Sequence, residues 1–174
     1  MTATGAETNR SVRALGGGFF QAGLVRIDSK ARSATFPAIV NMRDATIEYA
    51  VGVLGVADVI VCGHTDCGVM KGVMNPEPLE PLTSVSAWLN YAQPARKAVE
   101  LNEETRTGDE FLLAVTERNV IEQLGNLRTH PCIADRIEHG DLSLHGWVYD
   151  LGEGIVTAYD PDRTGFAPLE TLIG

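Results

Sequence analysis

The run Val56-Ala57-Asp58-Val59-Ile60-Val61-Cys62 is apolar and rich in β-branched residues, with one Asp near its start. It stops at Gly63-His64-Thr65-Asp66-Cys67-Gly68. A short apolar run of this kind, ended by glycine, reads as a strand covered on both faces, as in the interior of a parallel sheet. A helix leads into it. Ile47, Ala50, Val51 and Leu54 recur at helical spacing behind Asp44 or Thr46 as caps, and Gly55 closes the helix. A helix followed at once by a buried strand sets the fold class as α/β.

The rest of the chain alternates in the same way. Leu24–Ile27 reads as a short strand and Ser29–Pro37 as polar and turn-like. Pro76, Pro78 and Pro81 make 74–81 a loop. A helix from Ser84 carries Val85, Trp88, Leu89 and Ala92 on one face and kinks at Pro94. A long helix over 109–127 points Leu112, Val115, Val120, Leu124 and Leu127 inward. Pro131 interrupts it, because the residue before proline resists the helical region. A short helix over 131–138 then ends at Gly140. Residues 142–151 read as a strand, turning at Gly152-Glu153-Gly154 into a hairpin partner over 155–159. Residues 1–18, ending in Gly16-Gly17-Gly18, read as a flexible or divergent segment ahead of one domain over 19–174.

Composition narrows the function classes. A net charge of −9 argues against nucleic acid, which asks for a basic face. No apolar run reaches the roughly 18 residues of a membrane span. The Gly-rich start is a poor signal peptide, so the expected location is cytoplasmic. Three cysteines, an odd and low count, point away from a disulfide framework and toward thiols or a metal role.

His64 and Cys67 stand two residues apart at the end of the central strand. An imidazole and a soft thiolate there are the beginning of a zinc site. A strand's C-terminal end is also where sites form in open α/β sheets. Alone, H-x-x-C is a weak signal, and the other candidates read as structural. Strand alternation should turn Cys62 away from the turn, as a buried thiol. His130 and His139 read as helix-end residues, His145 as a packed or hydrogen-bonded core residue, and Cys132 as a small buried one.

Read with its neighbours, the pair is not isolated. Ala45-Thr46-Ile47-Glu48-Tyr49-Ala50-Val51 and Val59-Ile60-Val61-Cys62-Gly63-His64-Thr65-Asp66-Cys67-Gly68-Val69-Met70-Lys71-Gly72 resemble the β-class carbonic anhydrases. So do Val115–Val120, Asn126–Pro131 and Leu144–Asp150, in the family's order, over roughly residues 38–170. The resemblance implies a mostly parallel sheet flanked by helices, with dimers as the building block of larger assemblies. It implies one zinc ion per chain and reversible hydration of carbon dioxide to bicarbonate by a zinc-bound hydroxide. Zinc acidifies its bound water, an effect for which carbonic anhydrase is itself the standard example. His64 and Cys67 match the second and third zinc ligands.

The family's first ligand is a cysteine in an upstream C-x-D-x-R motif, and no cysteine precedes Cys62 in these 174 residues. Arg26-Ile27-Asp28-Ser29-Lys30 can be placed as an altered copy of that motif. Alternatively, Leu24-Val25-Arg26 can be placed as the later strand that the family ends in Arg-Asn. The distance to Ile47 favours the second placement, which leaves the usual first strand missing or replaced. Two functions follow. One is an enzyme whose zinc is completed in another way, with Asp28 and Asp66 as candidate donors, or a partner subunit, or an extra water. The other is a non-catalytic relative that keeps the fold as an oligomerising or binding module.

Overall fold

The computed structural model describes residues 26–28, 33–37, 44–102 and 106–172. The segment 1–18 and the Leu24-Val25 start of the first placed strand lie outside them. In chain order the elements are β1 (Arg26–Asp28), β2 (Ser33–Pro37), α1 (Asp44–Glu48), β3 (Asp58–His64), α2 (Gly68–Met74), α3 (Thr83–Leu89) and α4 (Gln93–Glu100). There follow α5 (Gly108–Arg128), α6 (Pro131–Glu138), β4 (Ser143–Tyr149), β5 (Val156–Asp160), β6 (Gly165–Pro168) and α7 (Leu169–Leu172).

The strands form one sheet in sequence order, β1 to β6. Its centre is parallel: β2 pairs with β3, and β3 with β4. β1 on one side, and β5 and β6 on the other, are antiparallel additions. The sheet expected to be mostly parallel is therefore mixed, with the parallel part around β3. One of the two parallel neighbours of β3 is Ser33–Pro37, part of the segment read from sequence as a turn. Ala34 and Phe36 alternate with Ser33 and Thr35, a strand period that the surrounding polar residues and the closing proline obscure. Arg26–Asp28 lies outside β2 and is not the strand beside β3.

Two clusters hold the molecule together. Val59, Val61 and Val148 on one sheet face meet Val120, Leu124 and Leu127 of α5, with Ile47, Ala50 and Val51 joining them. Met70, Val73, Leu89, Ala92, Leu112 and Val115 form the second cluster, which binds α2, α3 and α4 to the start of α5. The five apolar positions expected to face inward on α5 are all buried. Leu54 is not: it is 38% exposed. After α1 the chain makes a π-helical turn over Tyr49–Val53, with Leu54 N–H donating to Tyr49 O at 2.9 Å. The extra residue in that turn breaks the 3.6-residue period and rotates Leu54 off the buried face. Gly55 follows with φ +61°, as its capping role requires. No helix among the described residues is long and apolar enough to cross a membrane.

Candidate metal centre

β3 delivers His64 to the edge of the sheet's parallel centre, in register with Tyr149 of β4. Thr65 N–H donates to Tyr149 O at 3.0 Å and carries the β3–β4 pairing one residue further. Asp66 then takes a left-handed conformation, φ 56°, which reverses the chain. Cys67 follows in extended conformation as the residue preceding α2. This strand–turn–helix path brings two side chains three positions apart into contact, and His64 and Cys67 share a hydrogen bond.

The protonation of the pair suits a metal. His64 Nδ1 lies 2.8 Å from Thr65 O. A carbonyl only accepts, so Nδ1 carries a proton and Nε2 is the nitrogen left for a metal. Metal-ligating histidines are held in this way by a carbonyl or carboxylate on the other nitrogen. Burial works to raise the Cys67 thiol. The hydrogen bond with His64 and those from the Met70 and Val69 backbone outweigh it and hold the thiol below its ordinary value. The bond to Cys67 likewise raises His64 against the opposing effect of burial. Imidazole and thiolate together fit the donor chemistry of zinc. Among the described residues no group of three His, Cys, Asp or Glu could hold a metal ion.

The expected completions do not join the pair. Asp28 registers with Ser33, and Ser33 with Asp58. His64 lies six residues further along β3 than Asp58, roughly 20 Å at about 3.3 Å per residue. Asp28 is thus at the opposite end of the sheet. Asp66 stands beside the pair, but its carboxylate is fully exposed and bonded to Lys71, which holds it below its ordinary value. Cys62 shares a strand face with His64, contrary to the expectation that alternation separates them, since side chains two apart point the same way. Its thiol is nonetheless out of play: burial pushes it up to about 12, and Sγ donates to Gly63 O at 3.3 Å.

The remaining histidines are elsewhere. His130 and His139 flank α6, as expected of helix-end residues. His145 Nε2 lies 2.9 Å from Asp58 Oδ1, but the ring is 41% exposed, so it is hydrogen-bonded without being a core residue. Cys132 packs part-buried against the main core. Sequence reasoning missed Thr65 and its partner Leu151. Thr65 Oγ1 accepts the Leu151 N–H at 3.0 Å, across 86 residues of chain, a spacing no local pattern reveals.

Residues 33–156 match the family model described as carbonic anhydrase. A carbonic anhydrase of Pseudomonas aeruginosa is 46% identical over 125 residues, covering 72% of this chain and 56% of that relative. Carbonic anhydrase 1 of Escherichia coli O157:H7 is 40% identical over 125 residues, covering 72% and 57%. The chain thus spans a little over half the length of the curated relatives it matches. Among solved structures, the β-carbonic anhydrase CcaA superposes with a TM-score of 0.68 at 40% identity, over 71% of this chain and 61% of that one. A tetrameric β-carbonic anhydrase of Sordaria macrospora gives 0.59 at 29% identity, over 66% and 57%. With the motifs around His64 and Cys67, these matches establish that the chain belongs to the β-class carbonic anhydrase family.

Proposed function

We propose that this chain takes part in the reversible hydration of carbon dioxide to bicarbonate, with zinc held by His64 Nε2 and Cys67 Sγ. Hydration of carbon dioxide is the family's general reaction. The observation that carries the reading is the contact between a thiol held below its ordinary value and an imidazole whose Nδ1 is tied to Thr65 O. Zinc, when bound, supplies the acidity that makes water nucleophilic near neutral pH. The chain's own residues prepare for it. Thr65 O fixes the ring's tautomer, and the Met70 and Val69 backbone stabilises the thiolate. The Asp66–Lys71 ion pair closes the turn between the two donors.

A tetrahedral site takes at least one further protein donor. In this reading it comes from a second copy of the chain. Assembly with further copies fits the tetrameric relative from Sordaria macrospora. A cytoplasmic location fits three cysteines that form no disulfide, all of them among the described residues. The lack of a third donor among the described residues favours a second reading, a non-catalytic relative kept as a binding or oligomerising module. Stopped-flow hydration of carbon dioxide separates the two. Activity that depends on zinc and disappears in His64→Ala supports the enzyme. A zinc-loaded protein with no activity above buffer supports the module.

A further inference from the structure

We propose that Thr65 is a positioning residue for His64, acting through a hydrogen bond from the distant β4–β5 hairpin. The inference rests on the reading of His64 as a metal ligand, though its core claim concerns the ring and not the metal. Three bonds converge on Thr65. Its N–H donates to Tyr149 O at 3.0 Å, its Oγ1 accepts from Leu151 N–H at 3.0 Å, and its carbonyl accepts from His64 Nδ1 at 2.8 Å. The first two fasten the residue to β4 and to the hairpin. The third transmits that placement to the imidazole.

The fastening has a firm anchor. Asp150 Oδ1 accepts from Gly152 N–H at 2.8 Å and from Glu153 N–H at 2.9 Å. Asp150 N–H donates to Ile155 O at 2.8 Å and Gly154 N–H to Asp150 O at 2.9 Å. Leu151 N–H is therefore presented by a turn bonded on both sides of it. On the other side of Thr65 lies Asp66 in the left-handed region, a conformation that costs a non-glycine residue energy. The peptide between them, whose carbonyl orients His64, needs holding from the Thr65 side. Removing the hydroxyl frees that peptide to turn, and with it the choice of which imidazole nitrogen carries the proton.

Thr65→Val keeps the β-branched shape and removes the acceptor, while Thr65→Ser restores it without the methyl. Two readouts decide the matter. Cobalt(II) titration of the full chain, followed by absorption, should give about tenfold weaker binding in Thr65→Val, the scale of other outer contacts to metal ligands. Thr65→Ser should stay within about twofold of wild type, with thermal melting of all three proteins alike. In metal-free protein at alkaline pH, nitrogen NMR of the His64 ring should show the Nδ1–H form in wild type and Thr65→Ser, and a mixture in Thr65→Val. A Thr65→Val protein with wild-type ring and wild-type cobalt binding overturns the proposal. So does a Thr65→Ser protein as impaired as Thr65→Val, which would assign the effect to the methyl. If the wild type binds no cobalt, the metal reading fails, and the ring's tautomer alone decides the role of Thr65.

Discussion

Gly63 lies against Thr116 so closely that a Cβ built on residue 63 would meet Thr116 Cγ2 at 2.9 Å and Val120 Cγ2 at 3.1 Å. Neither neighbour can yield freely. Thr116 is buried and its hydroxyl donates to Leu112 O at 2.9 Å, which fixes its rotamer. Gly63→Ala should therefore push β3 away from α5 one residue before His64. The expected cost is about 1–3 kcal/mol, a melting point lower by several degrees, together with weaker metal binding. Thermal melting beside cobalt titration checks both. An alanine variant as stable as wild type would mean that the strand and helix are not in this contact.

The His64–Cys67 pair gives the metal-free protein a pH signature. His64 is raised, so its contribution to stability is complete below its ordinary value of 6.5 and lost as pH rises through the higher folded value. Cys67 is lowered, so its contribution is complete above 9.0 and lost as pH falls through the lower folded value. Alkylation by iodoacetamide, mapped by peptide mass spectrometry, should react at Cys67 with a midpoint below 9.0. His64→Ala should move that midpoint upward, and Cys62 should stay unmodified. An unchanged midpoint in His64→Ala would show that the two side chains do not interact.

Arg136 of α6 gathers backbone carbonyls from three places. Nη1 donates to Val51 O at 3.0 Å, and Nη2 donates to Val56 O at 3.3 Å and Asp141 O at 3.0 Å. Val51 lies in the π-helical turn and Val56 in the segment between that turn and β3. Arg136→Ala should lower stability by about 1–3 kcal/mol in urea unfolding. Arg136→Lys should recover only part, because an ammonium lacks the planar fork that serves several acceptors at once. Full recovery by lysine would mean that charge alone matters at this position.

An amide ladder runs along α5 from exposed Asn126 to buried Asn119. Asn126 Nδ2 donates to Gln123 Oε1 at 3.1 Å, and Gln123 Nε2 to Asn119 Oδ1 at 3.2 Å. Asn119 and Gln123 are buried, so Asn119→Ala strips the acceptor from a buried donor. The expected loss is about 1–3 kcal/mol by urea unfolding, above what a surface Asn→Ala change gives. A loss within about 0.5 kcal/mol would place these amides in contact with water.

What could be read from sequence followed from local pattern. Val59, Ile60 and Val61 declared a buried strand, and the Gly63–Gly68 turn put an imidazole and a thiol at its end. The α5 register was legible because Leu112, Val115, Val120, Leu124 and Leu127 keep the helical period. Asn119 and Gln123 share the buried surface of that helix, but as polar residues they add nothing to the apolar period that marks it. Leu54 departs from the inward face because the helical period counts 3.6 residues per turn and the π-helical turn inserts one more. Cys62 shares a face with His64 because β3 runs on through His64, although Gly63 marks a turn in the sequence. The bond from Leu151 to Thr65 has no local signature, since the sheet alone brings the two together.

The most direct test is zinc content per chain in the purified full-length protein, measured beside His64→Ala and Cys67→Ser with folding checked by circular dichroism. If His64 and Cys67 hold the metal, wild type carries about one zinc per chain and both folded variants lose it. A wild-type protein without zinc after incubation with the metal, or either variant retaining it in full, contradicts that assignment.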